Sequence, residues 1–279
     1  MCAIDPINTS MKTLQTLFLA GLLVSAISCK KDNPDPIDSF EETISSNFTE
    51  IASQTIDSYT LTIYAQSDLI VGYNEIYMLL MDADGSYVSD YEVHPHPMME
   101  MPMMMHATPF EYPKVVDTEK GFMRASTTFI MPSTAGDWHL DYHVHVMDEE
   151  YAFSFNPTVV SPEETRMLSF VGPDEKSYFL ALVSPTAPEV GENNFEVVLY
   201  TKLDMMSFPA VTDATMEIEP WMPSMSHGSP NNVNPVHDEL GHYMGKVNFS
   251  MTGHWEVKMT IKNADGTVLS DALAFDITL

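Results

Sequence analysis

The sequence has little positive charge and almost no cysteine. It carries 12 Lys and Arg residues against 40 Asp and Glu, which gives a formal net charge of −28 over 279 residues. Nucleic acids and anionic lipid surfaces are bound by clustered Lys and Arg, so this balance argues against both as partners. Cys2 and Cys29 are the only cysteines, which excludes a framework of several disulfides. The fold must therefore depend on its hydrophobic core.

The sequence also lacks a hydrophobic run long enough to span a bilayer. Its longest apolar stretch, Leu14–Ile27, has 14 residues, whereas a spanning helix needs ~20. This length is typical of a secretory signal peptide, and Ala26–Cys29 resembles the cleavage motif of bacterial lipoproteins. We expect cleavage before Cys29 and a diacylglyceryl group on its sulfur. The charged segment after it, Lys30–Asn33, resembles the start of surface lipoproteins of the Bacteroidota, which implies an outer-membrane lipoprotein that is either periplasmic or surface-exposed. The alternative is an ordinary signal peptide that happens to contain a cysteine.

Signatures of catalysis are missing as well. The sequence contains no Gly-rich phosphate loop, no Gly-x-Ser-x-Gly segment and no His-Glu-x-x-His segment. Its carboxylates are scattered along the chain, and the mature protein would have no nucleophilic cysteine. We therefore predict that the protein is not an enzyme.

Methionine and histidine are abundant instead, with 22 and 10 residues, and they recur in an internal repeat. Residues 101–109 read MPMMMHATP and residues 222–230 read MPSMSHGSP, which align without a gap. Gly136-Asp137-Trp138 and Gly253-His254-Trp255 follow in the same order. The sequence therefore predicts two related copies in tandem.

Each copy contains short segments rich in β-branched and aromatic residues, separated by turn signals such as Asp265-Gly266. About a hundred residues per copy with this pattern predicts an all-β protein with two tandem immunoglobulin-like β-sandwich domains after a lipoprotein signal peptide. The predicted boundaries are 1–28 for an upstream extension and signal peptide, 29–50 for a lipidated, flexible tether, 51–160 for the first sandwich, 161–176 for a linker, and 177–279 for the second sandwich.

The repeated Met/His segments are candidates for metal binding. Thioether sulfur is a soft ligand and imidazole a borderline one, so together they favour Cu(I) over zinc or calcium. A Met-x-x-Met-x-His segment can converge on one ion if the chain curves. Methionine also fills irregular cores and forms adaptable protein-contact surfaces, and both alternatives remain open at this point.

The second copy resembles the YtkA-like (FixH-like) domain family. The similarity lies in Met222–Pro230, Gly241-His242-Tyr243 and Phe249–Val257, where the family has a Met-Pro-x-Met-x-His segment, a Gly-x-Tyr strand start and a Phe-x-Met-x-Gly-x-Trp strand pair. Members are exported β-sandwiches, often lipidated, associated with copper handling and assembly of respiratory oxidases. The resemblance therefore implies copper, as Cu(I), and a copper-transport or oxidase-assembly protein as partner.

The resemblance covers residues 178–279 well, whereas the first copy, over 58–160, departs from it at Phe122 and Met123. Carried over by position, the implied metal ligands are Met222, Met225, His227 and Met251 in the second copy and Met101, Met104, His106 and Met131 in the first. The resemblance leaves Trp221 either above the ion or at an interface. Trp138 and Trp255 are predicted to lie in the cores.

A further histidine cluster occurs only in the first copy. Alternation along residues 138–145 separates the two faces of a strand and places His143, His145 and Asp141 on the face away from the core. These residues either chelate a divalent ion or simply form a polar strand face. His237, His242 and His254 are predicted to be isolated surface residues.

Together these observations predict an exported, lipid-anchored copper-binding protein that serves in buffering, delivery or oxidase assembly. The alternative is an adhesion or scaffold lipoprotein without metal, whose Met-rich loops contact other proteins.

Overall fold

The computed structural model describes residues 40–279, and this part of the chain is almost entirely β-structure. The predicted signal peptide, the lipidation of Cys29 and the first part of the tether lie outside the described residues. Within residues 40–279, no helix is both long and apolar enough to cross a membrane. The fold is therefore described by its strands, which belong to two sandwiches.

The first sandwich follows one short helix. Its elements are α1 (Phe40–Asn47), β1 (Thr49–Ile56), β2 (Tyr59–Ala65), β3 (Leu69–Ile70), β4 (Gly72–Asp82), β5 (Glu92–Met101), β6 (Met104–Ala107), β7 (Phe110–Asp117), β8 (Phe122–Phe129), β9 (Asp137–Val146), β10 (Glu149–Phe155) and β11 (Val159–Val160).

The second sandwich is built from nine further strands. These are β12 (Met167–Val171), β13 (Ser177–Ser184), β14 (Gly191–Lys202), β15 (Thr215–Met222), β16 (His227–Gly228), β17 (Val233–His237), β18 (His242–Phe249), β19 (His254–Lys262) and β20 (Val268–Thr278).

Both sandwiches have the same strand order. In the first, one sheet runs β1-β2-β4-β8-β7 and the other β10-β9-β5-β6. In the second, the corresponding orders are β12-β13-β14-β18-β17 and β16-β15-β19-β20. Without the edge strands β1, β6, β12 and β16, each is the four-plus-three arrangement of immunoglobulin constant domains. The predicted all-β, immunoglobulin-like fold is confirmed.

Alternation along the strands builds the two cores. In β9 every second residue is buried, from Trp138 to Val146, and in β19 the same pattern begins at Trp255. Both tryptophans are buried, in core clusters that draw side chains from both sheets of their sandwich. Their predicted core positions are therefore correct.

Two stretches that the sequence assigns to flexible connections are ordered. Residues 40–50, predicted as part of the tether, form α1 and the start of β1, and Ile44 and Phe40 pack beside Tyr77 and Phe122. In the predicted linker, Met167–Val171 forms edge strand β12, paired with β13. The helix is held by apolar contacts with distant residues, and the edge strand has only five residues. Both are too short to give a clear signal in the sequence.

The two sandwiches pack into one compact unit over Phe40–Leu279. Tyr73 of the first sandwich packs against a small cluster in the second that includes Val198 and Tyr200. The backbone N–H of Ala107, at the end of β6, donates to the carbonyl of Met205 at 2.8 Å. The Met-rich hairpin of the first sandwich therefore also touches the second.

Candidate metal centres

The Met-rich segment of the first sandwich is the hairpin β5–β6, and its base carries a row of three inward-facing side chains. His106 lies directly opposite Met99, and Met99 lies directly opposite Trp138 on β9. Opposed residues in an antiparallel pair share a face, so all three point into the sandwich. The His106 ring meets the indole edge-on, with centroids 5.9 Å apart and planes at 90°.

His106 has one ring nitrogen satisfied and the other without a partner. Its Nδ1 is 2.8 Å from the carbonyl oxygen of Ala107, which can only accept, so Nδ1 carries a proton and donates it to this carbonyl. Its Nε2 is buried and has no hydrogen-bond partner among the described residues. Only 3% of the residue is exposed. The arrangement fixes Nδ1 on a backbone carbonyl and leaves Nε2 facing the interior, as in histidines whose second nitrogen is oriented for metal binding.

The second sandwich repeats this row. His227 lies opposite Met222, and the register that pairs Trp221 with Glu256 brings Met222 beside Trp255. The His227 and Trp255 rings are again edge-on, with centroids 5.6 Å apart and planes at 89°. Met222 is buried, whereas His227 is partly exposed. Both copies therefore present a His–Met–Trp row at the base of the same hairpin.

The two rows also share a hydrogen bond made by the tryptophan. The indole N–H of Trp138 donates to the carbonyl of Met131 at 3.0 Å, and that of Trp255 donates to the carbonyl of Met251 at 3.1 Å. These bonds hold the loop before each tryptophan strand next to the row. Met131 packs against the first core, and Met251 is 39% exposed.

The strand register corrects the predicted correspondence between the copies. Met99 pairs with His106, whereas Met222 pairs with His227, so the first hairpin is two residues longer. Met99 is therefore the structural counterpart of Met222, and Met101 is not. An alignment without gaps cannot represent the longer hairpin, which is why Met99 was absent from the predicted ligands.

The other predicted methionines lie towards the hairpin tips. Met101 pairs with Met104 on the same face as His106, and Met101 packs against the core while Met104 is half exposed. Met103 is 95% exposed in the first turn, and Met225 is 61% exposed in the second. The structure thus brings Met101 and Met104 to the row of His106, and it leaves Met225 at the surface beside its row.

Trp221 does not cover the second row. Its neighbour Met222 faces the core, so Trp221 lies on the outer face of β15, where the ammonium of Lys258 is 5.0 Å from its ring centroid. Of the two positions left open for Trp221, the one above the row is therefore not found, and a lysine makes a cation–π contact with its ring instead.

The predicted histidine strand forms a larger cluster than the sequence indicated. On the outer face of β9, His143 and His145 are flanked by His94 and His96 of β5. Ring centroids are 5.3 Å apart for His94 and His145 and 5.1 Å apart for His96 and His143. We call His94, His96, His143, His145 and Glu150 the histidine face.

Glu150 of β10 joins two of these rings. One carboxylate oxygen is 2.7 Å from Nδ1 of His143 and the other is 3.4 Å from Nε2 of His145. The hydrogen bond with His143 and the nearby imidazoles lower the pKa of Glu150. Asp141, the predicted third ligand, instead accepts a 2.5 Å hydrogen bond from Ser154. As the side chains stand in residues 40–279, no three His, Cys, Asp or Glu residues are grouped to hold one ion.

The sequence predicts that His242 is an isolated surface residue, and the structure shows that this is wrong. Its Nε2 is 2.6 Å from Glu111 of the first sandwich, and its Nδ1 is 2.7 Å from Glu196 of its own sandwich. Only 10% of its side chain is exposed. We call these three residues the interdomain clamp. Sequence alone could not identify it, because the partners lie 46 and 131 positions away.

The clamp holds a charged imidazole. Burial lowers the pKa of His242, but hydrogen bonds to Glu111 and Glu196 outweigh burial and raise the pKa to about 9. Both ring nitrogens face carboxylates, so both carry protons at neutral pH. Nearby charges are already paired, Lys114 with Glu239 at 2.6 Å and Arg124 with Glu75 at 2.9 Å. His242 therefore has no free lone pair for a metal, and its role is to join the sandwiches.

Comparison with known proteins agrees with the resemblance in the second copy. Residues 174–260 match the family model described as YtkA-like. No curated protein matches the chain.

Among solved structures, the chain is similar to a conserved domain protein from Bacillus anthracis, at 8% identity and a TM-score of 0.34, over 85% of this chain and 93% of that one. It is also similar to invasin, a bacterial integrin-binding protein, at 13% identity and a TM-score of 0.22, over 81% of this chain and 46% of that one. The chain thus spans less than half of that invasin structure. The part of the second sandwich over residues 174–260 is a YtkA-like domain.

Proposed function

We propose that the protein binds copper, as Cu(I), at the two His–Met–Trp rows, and that it buffers copper or delivers it to a copper-transport or oxidase-assembly protein. The observation that carries the proposal is the buried Nε2 of His106, which has no hydrogen-bond partner among the described residues. An unpaired buried polar atom lowers the stability of the folded protein by about 1–3 kcal/mol, so a ligand bound at this nitrogen would remove that unfavourable free energy.

The available donors fit Cu(I) better than other cations. Met99 supplies a thioether directly opposite His106, and Met222 does so opposite His227. No cysteine occurs in residues 40–279. Zinc sites use Cys, His or carboxylate ligands and calcium sites use oxygen, whereas a thioether–imidazole pair is a soft set.

The exposed tips suggest how an ion reaches the rows. Met103, Met104 and Met105 are at least half exposed, and Met225 is similarly placed in the second hairpin. Their thioethers are accessible to a Cu(I) donor, while His106 and Met99 lie deeper. Exchange between accessible and buried thioethers requires no redox change, which suits a carrier. In this proposal a lipid on Cys29 anchors the protein in the cell envelope.

The test is an anaerobic Cu(I) titration against a competing chelator. Wild type should hold two Cu(I) ions, Met99→Leu and Met222→Leu should each lose one, and the double variant should lose both. Met→Leu nearly conserves volume and usually costs less than about 1.5 kcal/mol, so the fold should survive. Met78→Leu and Met259→Leu replace core methionines outside the rows and serve as matched controls. Wild type that cannot compete for Cu(I), or row variants that bind like the controls, would contradict the proposal.

The second candidate function is binding of another protein by the methionines at the hairpin tips, because Met103 is 95% exposed in a turn. An adhesion or scaffold role predicts no Cu(I) affinity in wild type. It also predicts that replacing Met103, Met104 and Met105 with Ser abolishes binding to the partner without changing the fold.

A further inference from the structure

We propose that the histidine face is a second metal site, which binds a borderline divalent cation of the Zn²⁺ or Cu²⁺ class through imidazole and carboxylate groups. It lies on the outer face of the sheet whose inner face carries His106. It contains no thioether, so its chemistry differs from that of the His–Met–Trp rows. The inference is independent of the Cu(I) proposal.

The geometry brings four imidazoles and one carboxylate into a single surface patch. His94 lies directly opposite His143, and the ring pairs His94–His145 and His96–His143 touch at 5.3 and 5.1 Å between centroids. Glu150 already contacts His143 and His145 from the other side. Two rings on each of two adjacent strands can therefore reach a common point above the sheet.

The second sandwich shows that this strand face does not require histidine for folding. When Trp255 is aligned with Trp138, the strand pairing gives the residues at the equivalent positions. Glu217 then corresponds to His94, Thr260 to His143 and Lys262 to His145. On this face of the second sandwich, Glu217 and Lys262 form an ion pair at 2.5 Å. The same scaffold thus carries an ordinary charged pair in one copy and clustered imidazoles in the other.

The chemistry of the patch fits a divalent transition metal. Imidazole suits Zn²⁺ and Cu²⁺, and one carboxylate among the ligands offsets the charge of the ion. The His143 and His145 side chains are 39% and 38% exposed, so they can turn from Glu150 to a shared ion by changing rotamer. That rotation is required, because His143 is hydrogen-bonded to Glu150 and His145 lies 3.4 Å from the same carboxylate.

The test is calorimetric titration of the tag-free protein with Zn²⁺, together with the visible spectrum of the Co²⁺ form. Wild type should bind one Zn²⁺, and His143→Gln with His145→Gln should weaken binding at least about 100-fold, since two ligands are lost. His139→Gln is the control, because His139 lies on the same strand and face but contacts Glu100 at 3.4 Å instead. Circular dichroism should show that all variants are folded.

Three results would overturn the proposal. The first is no heat of binding for wild type at a large molar excess of Zn²⁺. The second is a double variant that binds Zn²⁺ like wild type, and the third is a loss of affinity in His139→Gln as large as in the double variant. The two metal proposals fail separately. Met99→Leu with Met222→Leu should keep Zn²⁺ binding, and His143→Gln with His145→Gln should still compete for Cu(I).

Discussion

The interdomain clamp predicts that the protein loses stability as the pH rises from neutral to alkaline. His242 is charged between Glu111 and Glu196, and its pKa is about 9 in the folded protein against an ordinary value of 6.5. The folded state therefore holds this proton more tightly than the unfolded chain does. The stabilisation is complete below pH 6.5, falls as the pH rises from 6.5 to 9, and is absent above that range.

The size of the effect follows from the pKa difference. A pKa difference of one corresponds to about 1.4 kcal/mol, so the clamp contributes about 3 kcal/mol at pH 6. The side chains of His242, Glu111 and Glu196 are 10%, 14% and 22% exposed, so solvent screens the clamp only weakly. Replacing His242 with Gln leaves the two largely enclosed carboxylates of Glu111 and Glu196 without a cation, and an unpaired charge in such a position is unfavourable.

The assay is urea unfolding followed by tryptophan fluorescence at pH 6, 7.5 and 9.5, comparing wild type with His242→Gln. The difference in unfolding free energy between the two should shrink by about 3 kcal/mol from pH 6 to 9.5. Because titrating groups outside the interdomain clamp are common to both proteins, the difference reports on the clamp. His254→Gln is the control, since His254 makes an exposed 2.8 Å pair with Asp276. A difference that stays constant over this pH range would refute the reasoning.

Two further predictions concern the ordered N-terminal helix and a glycine turn. Ile44→Ala removes the buried side chain that holds α1 to the first sandwich, which should lower the stability of the helix by about 2 kcal/mol. Amide hydrogen exchange in Phe40–Asn47 should then become about 30-fold faster. Exposed Ser45→Ala is the control and should leave the exchange rates unchanged. Gly241→Ala should cost at least about 2 kcal/mol more than Gly266→Ala in urea unfolding, and equal costs would contradict this. Both glycines have positive φ, +83° and +86°, but only at Gly241 would a Cβ lie 2.8 Å from Ala210 and 2.9 Å from the Leu199 carbonyl.

The fold could be predicted from sequence because its signals are local. Alternation from Trp138 to Val146 and the turn at Asp265-Gly266 depend on neighbouring residues, and the structure has the expected strands there. Helix α1 was missed because its stability comes from Phe40 and Ile44 packing on residues far along the chain. Most stabilisation of so short a helix is tertiary, so its own sequence gives little indication of it.

The candidate sites were predictable only in part, for the same reason. Alternation identified His143 and His145, but His94 and Glu150 join them through strand pairing that sequence does not specify. Likewise, the Met-x-x-Met-x-His spacing identified His106, whereas Met99 follows from the hairpin register. A shift of two residues leaves the face unchanged, so hydrophobic patterning alone cannot detect it.

The two sandwiches differ in the burial of the histidine in the His–Met–Trp row. A buried imidazole without a partner at Nε2 costs stability, and an apolar residue at His106 would avoid that cost. The second sandwich has the same His–Met–Trp row, but its His227 is partly exposed and so can be solvated. The cost is therefore concentrated in the first sandwich, which also carries the histidine face. If metal binding offsets that cost, Cu(I) should raise the stability of the first sandwich more than that of the second.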